Sequence, residues 1–262
     1  MEISIIIPVF NSEKIIPILI KEIEKNFVLK KKSFEVLLVN DNSKDSSWTI
    51  IKELTKQFNF VKGINLLNNY GQHNAIMAGL KNCSGDYIVL MDDDMQHPPS
   101  YIHEIHAELK KDFDVCYVKY LNRKHFFWKI AVSWLNNIVA SILALKPIKI
   151  YTSSYKGFNK KICNNLIAYN ESEVFLDWLI LEKTNKISVI EIEHSERLSG
   201  STNYGLLNLF FLWSIMILKI IPKNNIHKIV LIMPKFIVRY CVYNLIKKNN
   251  KKEQFKISEK TF

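Results

Sequence analysis

The chain lacks several signatures that would assign it at sight. No GxGxxG follows any apolar run, so a dinucleotide-binding oxidoreductase is poorly supported. The four cysteines, Cys83, Cys116, Cys163 and Cys241, are scattered with no CxxC spacing. That speaks against a zinc site or a disulfide framework and for reduced, inert thiols. With only 7 Gly and 7 Pro in 262 residues, long disordered stretches are not expected. No internal repeat is visible. No signal peptide is expected either: residues 3–10 are apolar, but no basic segment precedes them and the chain turns polar at Asn11.

What is present is ordinary for a folded protein, at 48% apolar and 23% charged residues. The length accommodates one large domain, or one domain with an appendage. The net charge of +11 is unevenly placed: from Pro222 onward there are ten Lys/Arg and two Glu, leaving +3 for everything before. Such asymmetry implies an anionic partner surface. Long aliphatic runs among those basic residues favour lipid over nucleic acid.

Short β-branched runs alternate with helical patterns. Strands are predicted over 3–9, 34–39, 61–66, 87–91 and 115–118. Helices are predicted through Ile15–Ile23, after Ser46-Ser47, after Gly71-Gln72 and after Pro98-Pro99. This alternation predicts a doubly wound, mostly parallel α/β sheet. From about residue 125 the character changes. Residues 126–145 and 206–221 are apolar; residues 229–246 are apolar with a stripe of Lys228, Lys235 and Arg239 at i, i+7, i+11. Sixteen residues are short for a membrane span of about 20, and a helix lying in the headgroup plane keeps a cationic stripe against anionic lipid. The alternative is a buried core helix followed by a solvated tail.

Two acidic clusters follow predicted strands: Asp41 and Asp45 after the second, and Asp92, Asp93 and Asp94 after the fourth. Carboxylates at the carboxyl ends of parallel strands stand where open α/β sheets bind ligands. Three adjacent carboxylates repel one another unless a cation or donors neutralise them. A divalent metal with a nucleoside diphosphate is the first expectation. Turn and helix-capping chemistry is the competing one for Asp41 and Asp45.

Five segments, in order, carry a resemblance. They are Ile5-Ile6-Ile7-Pro8-Val9-Phe10-Asn11-Ser12-Glu13, Val39-Asn40-Asp41-Asn42-Ser43-Lys44-Asp45, the run from Asn69 to Gly79, the run from Met91 to Pro99, and His194–Arg197 with Gly200–Tyr204. Together, from about residue 2 to 222, they resemble inverting family 2 glycosyltransferases of the GT-A fold. The late loop is similar to that of the polyprenyl-phosphate branch, which includes dolichol-phosphate mannosyltransferase-like and undecaprenyl-phosphate sugar transferase-like enzymes.

The resemblance implies sugar transfer from a UDP- or GDP-sugar, UDP preferred, to a polyprenyl-phosphate lipid at the cytoplasmic face of the cell membrane. The protein would be peripheral or monotopic there and serve cell-envelope polysaccharide assembly. It implies a Mg²⁺ or Mn²⁺ cofactor held by Asp94 and Gln96. Asp41 would read the base, with Pro8, Phe10 and Glu13 walling the nucleoside. Asp92 would lie near the ribose, and Gly71 and Gln72 would open a helix toward the site. Asp93 is counted with the nucleotide site, its role open. Lys119, Arg197 and Tyr204 would meet the diphosphate. Arg123 and Lys156 would hold the acceptor phosphate.

Several relatives carry an acidic residue near Ser153 or Ser154, and no carboxylate stands there in this chain. A phosphate acceptor, with a second pKa of about 6, needs no strong base. A glycan hydroxyl would need one, and Asp177 or Glu173 would be the candidates. Transfer to a glycan hydroxyl and a non-catalytic nucleotide-sugar-binding membrane protein are the rival readings. The expected organisation is a catalytic domain over 1–205, membrane-associating helices over 206–250 and a basic tail over 251–262.

Overall fold

A computed structural model describes residues 1–28, 33–121, 152–170, 174–193 and 254–262. All of them belong to one compact unit of the chain. The frame is an eight-stranded sheet. Its strands are β1 (Ile3–Val9), β2 (Phe34–Asn40), β3 (Val61–Leu66), β4 (Tyr87–Leu90), β5 (Val115–Leu121), β6 (Lys156–Asn159), β7 (Ile187–Glu193) and β8 (Ile257–Lys260). Their spatial order is β7-β5-β6-β4-β1-β2-β3-β8. β1 pairs in parallel with β2 and β4, β2 with β3, and β5 with β7; β6 and β8 run antiparallel to their neighbours. The mostly parallel sheet predicted from the alternation is therefore present, with two reversed strands.

β1 is buried along its whole length, as a strand covered on both faces must be. Alternate residues feed two cores. Ile3, Ile5, Ile7 and Val9 join one with Ile16, Leu19, Ile20, Ile23 and Phe27 of helix α1 (Ile16–Val28). Ile6, Leu37 and Val39 join the other with helix α3 (Gln72–Leu80), whose residues from Ala75 to Leu80 are all buried. Helix α2 (Ser47–Gln57) and helix α4 (Ile102–Leu109) pack on the first face. Helices α5 (Lys160–Ile167) and α6 (Leu176–Lys183) pack on the second. Gly79 lets α3 approach β1: a Cβ there would stand 2.5 Å from Ile6 Cγ2.

Register places the connections. Lys156 pairs with Leu90 and Tyr117, Glu193 with Leu121, and Ile257 with Leu66. The chain thus leaves β5 and β7, and enters β6 and β8, at the edge where β1–β4 end.

Residues 257–260 depart from the expected basic tail by forming β8 on the exposed edge of β3. The strand is held by specific bonds: Gly63 N–H donates to Thr261 Oγ1 at 2.8 Å and Trp48 Nε1 to Glu259 Oε2 at 2.9 Å. An unpaired β-edge is a template for pairing, and β8 covers this one. The other expected boundaries fall outside the described residues, as do 126–145, 206–221 and 229–246. Among the described residues no helix is long and apolar enough to cross a membrane.

The opposite edge of the sheet, where β1 and β2 begin, holds a fully buried Glu35. Its Oε1 accepts from Ser4 Oγ (2.5 Å) and from Ser84 N–H (2.6 Å) and Oγ (2.8 Å), and its Oε2 pairs with Lys62 Nζ at 2.7 Å. Burial alone would raise its pKa; the Lys62, Ser4 and Ser84 bonds together outweigh that and hold it below the usual value.

Two outcomes are expected. Because the folded carboxyl titrates below its unfolded value of about 4.3, its contribution is complete above that pH and lost as pH falls through the lowered value. Glu35→Ala should cost about 3 kcal/mol in urea unfolding at pH 7, and the difference from wild type should shrink in acid. Deleting residues 254–262 should lower the urea midpoint and promote self-association, read by sedimentation velocity.

Candidate active site

The carboxyl ends of β1, β2, β3 and β4 face one edge, so the four loops that follow them meet there. They are stitched together by side chain to backbone bonds. Between the first two loops, Asn11 N–H donates to Ser43 Oγ (3.0 Å) and Lys44 N–H to Asn11 Oδ1 (2.8 Å). Asn11 and Asn42 both adopt φ near 55°, a left-handed conformation that Asn tolerates. Glu13 and Asp45 exchange roles at the start of α2: Ser46 N–H donates to Glu13 Oε2, while Asp45 accepts from Glu13 N–H and Ser47 N–H. Asp45 is thus a cap. Burial opposes its ionisation, but the Ser47 and Glu13 bonds hold its pKa below the ordinary range.

Asp41 is buried and joins the second loop to the third. Its Oδ1 accepts from Tyr70 N–H at 2.7 Å and its Oδ2 from Gly71 N–H at 2.8 Å. Burial raises its pKa, and the two backbone bonds only partly oppose this. Gly71 has φ +88°, which a side chain would strain, and it opens α3. Gln72 then reaches across the edge, donating from Nε2 to Asp92 Oδ1 at 2.6 Å.

The acidic turn after β4 divides into separate duties. Asp93 points back to the first loop, where Oδ2 accepts from Ser12 Oγ (2.5 Å) and Phe10 N–H (3.2 Å). Burial, with the neighbouring charges of Asp92 and Asp94, pushes its pKa up to about 6 against those two bonds. Asp92 is held by Gln72 and by His97, whose Nδ1 accepts the Asp92 N–H at 2.8 Å. Asp94 Oδ1 accepts from Gln96 N–H at 3.1 Å, with Met95 between them at φ 63°.

Among the described residues no three His, Cys, Asp or Glu side chains converge as a metal cage. A hard cation held by one or two protein oxygens plus substrate phosphates does not require one. The Asp94 carboxylate and the Gln96 amide carbonyl are donors of that hard type, set two residues apart on an exposed-edge turn. They fit such an ion.

The remaining expected residues are distributed as follows. Pro8 is buried in β1, and Phe10 is 40% exposed at its end. Glu13 Oε2 accepts the Ser46 N–H at the start of α2 at 2.9 Å. Lys119 pairs with Glu191 across β5 and β7 at 2.6 Å. The Lys156 side chain is buried and its ammonium pairs with Asp177, which also accepts from Tyr117 OH at 3.0 Å. Arg123, Glu173, Arg197 and Tyr204 lie outside the described residues.

Two residues gained importance only in the fold. His97 is buried, stacked on Tyr155 with centroids 4.8 Å apart and 7° between planes, and its Nε2 lies 3.2 Å from Ser154 Oγ. Ser12 locks Asp93. The signal for His97 was its place directly after the acidic turn; for Ser12 there was none beyond helix capping.

A mostly parallel sheet carrying an acidic turn and a buried Asp at its carboxyl edge is the ligand-binding arrangement of open α/β folds. The family described as Glycosyl transferase family 2 matches residues 4–167. The chain belongs to glycosyl transferase family 2. It is 32% identical over 214 residues to an undecaprenyl-phosphate 4-deoxy-4-formamido-L-arabinose transferase of Pseudomonas fluorescens (strain Pf0-1), covering 80% of this chain and 63% of that one. It is 29% identical over 209 residues to the protein of that name from Proteus mirabilis (strain HI4320), covering 79% and 64%. The chain thus spans less than two thirds of the length of these relatives. Among solved structures it resembles glucosyl-3-phosphoglycerate synthase from Mycobacterium tuberculosis in complex with Mn²⁺ and UDP-glucose. The TM-score is 0.64 at 15% identity, covering 86% of this chain and 81% of that one. The S. aureus TarS 1–349 complex with UDP-GlcNAc aligns with TM-score 0.55 at 20% identity, covering 83% and 67%. The fold is of the GT-A type.

Replacing Asp41 by Asn puts an amide donor against one of two backbone N–H groups. Asp41→Asn should speed amide exchange at Tyr70 and Gly71 about 10-fold, read by hydrogen exchange.

Proposed function

We propose that the protein is an inverting, metal-dependent glycosyltransferase that moves a sugar from a UDP- or GDP-sugar to a polyprenyl phosphate at the cytoplasmic membrane face. The observation that carries this is the meeting of Asp41, Gly71-Gln72 and the Asp92–Asp94 turn at one sheet edge, bonded into one frame. Named relatives that transfer to undecaprenyl phosphate support the acceptor. Neighbours solved with UDP-sugars and Mn²⁺ support the donor and the ion.

In this reading Asp41 keeps the second and third loops closed around the base and offers it a remaining carboxylate lone pair. Phe10, exposed at the end of β1, packs against the nucleoside. The first N–H groups of α3 face the diphosphate. Asp94 and Gln96 hold the cation, which when bound neutralises the diphosphate as it leaves. Asp92, braced by Gln72 and His97, sits beside the ribose. Asp93 acts as a tie to the first loop rather than as a ligand.

A phosphate monoester is already a dianion at pH 7 and attacks without a protein base. The arrangement around Asp177 supports this over a glycan hydroxyl. Its Oδ1 is engaged by both Lys156 and Tyr117, so it is committed to an internal ion pair. The same pair makes Lys156 a support for Asp177, leaving Arg123 as the expected cation for the acceptor. Membrane association rests on the apolar segments 206–221 and 229–246 and the basic residues after Pro222. The flanking strands β5–β8 open toward the site edge, which is the side a lipid phosphate must reach.

Purified protein given Mn²⁺, a panel of nucleotide sugars and short polyprenyl phosphates should release UDP or GDP. Release with a polyprenyl phosphate but not with free glycans is the expected result; release only with glycans would overturn the acceptor assignment. Asp94→Ala should lower turnover at least about 100-fold, and unchanged turnover would remove Asp94 from the metal site.

A further inference from the structure

The sheet order separates two sides of the site. Asp41 follows β2 and Gly71 follows β3, so the nucleotide side lies over β1, β2 and β3. The acidic turn follows β4 at the centre. Beyond it, on the far side from β1, stands β6, and Ser154 lies two residues before β6 begins. In an inverting displacement the attacking oxygen and the leaving diphosphate occupy opposite sides of the anomeric carbon. The acceptor therefore belongs on the β6 side.

The hydrogen bonds there have one direction only. A backbone N–H must donate, so His97 Nδ1, which receives the Asp92 N–H at 2.8 Å, carries no proton. In the neutral ring the proton is then on Nε2. Nε2 lies 3.2 Å from Ser154 Oγ and 3.5 Å from Asp92 Oδ2. The ring cannot turn away, being stacked against Tyr155 and also parallel to Tyr120 at 6.1 Å. Tyr155 is itself fixed by its hydroxyl bond to Pro98 O at 2.8 Å. Ser154 Oγ thus accepts from His97, which leaves the hydroxyl proton of this exposed residue available to a ligand.

We propose that Ser154 donates a hydrogen bond to the phosphate of the acceptor, and that His97 is the residue that positions it. This rests on the phosphate-acceptor reading above. The chemistry suits the place. A dianion approaching Asp92, Asp93 and Asp94 meets like charge, and a hydroxyl donor helps where another carboxylate would repel. His97 links the two halves: the same ring that braces Asp92 aims Ser154, so donor-side and acceptor-side geometry are set by one buried group.

The test uses the full chain, the nucleotide sugar that wild type consumes, and a short polyprenyl phosphate. Ser154→Ala should raise the acceptor KM about 10-fold or more, the scale of a hydrogen bond to a charged group, with donor affinity unchanged within about twofold. Ser154→Thr should restore the wild-type acceptor KM, and Ser154→Asp should raise it further than Ala. His97→Gln should raise the acceptor KM too, and the His97→Gln/Ser154→Ala double variant should be no worse than the more impaired single variant, because both remove one bond. Thermal melting and nucleotide binding confirm that each variant is folded. An unchanged acceptor KM in Ser154→Ala, a fully active Ser154→Asp, or additive effects of the two substitutions would overturn the proposal. If wild type transfers only to non-phosphate acceptors, the functional reading falls first and this proposal with it.

Discussion

The parallel pairing of β1 with β2 on one side and β4 on the other is the constraint from which the rest follows. It aligns Val9 with Asn40 and Ile6 with Leu90, so the loops after these strands open on the same edge. An antiparallel partner at either position would have sent Asp41 or Asp92 to opposite ends of the sheet. The cost of this arrangement is that β1 is covered on both faces and has no solvent side. The chain meets that demand with Ile3, Ile5, Ile6, Ile7 and Val9, all fully buried.

The site edge is also a problem in charge. Four carboxylates, Asp41, Asp92, Asp93 and Asp94, stand within a few residues of strand ends. The protein distributes them rather than leaving them to repel. Asp41 takes two backbone N–H groups, Asp93 takes Ser12 and Phe10, Asp92 takes Gln72, and Asp94 takes the Gln96 N–H. Except at Asp94, whose partner lies in its own turn, each bond that neutralises a carboxylate also joins two loops, so electrostatic satisfaction and shape are the same interactions. The opposite edge holds buried charge differently, with Glu35 gathering Ser4, Ser84 and Lys62, and Asp114 gathering Thr184 and Asn159.

The positions of the first five strands, the sheet class and the acidic clusters were readable from residue patterns, whereas β6, β7 and β8 were not. β-branched runs of strand length and helical periodicity are local signals, and motif spacing is preserved in the chain itself. Asp45 was readable as a cap for the same reason, since Ser47, whose N–H it accepts, lies two residues on; its bond to Glu13 was not. Pairings between distant residues were not readable. Nothing local distinguishes a Lys156 that holds a phosphate from one that pairs with Asp177, 21 residues away. Nor does the basic, polar run from Gln254 to Lys260 announce a strand; it becomes one because β3 has an open edge and Trp48 and Gly63 provide partners.

The sequence by itself determined the first five strands and the identity of the carboxylates that gather at the site, because these depend on local periodicity, and its ordered motifs carried the resemblance to the family. Tertiary structure decided what each carboxylate does. Asp93 became a tie, Asp92 a braced side chain and Asp94 a partner of Gln96. His97 became the link between the acidic turn and Ser154. Those roles depend on which partner a side chain meets, and donors from other loops, Gln72 to Asp92 and Ser12 to Asp93, are brought within 3 Å by the register of the sheet.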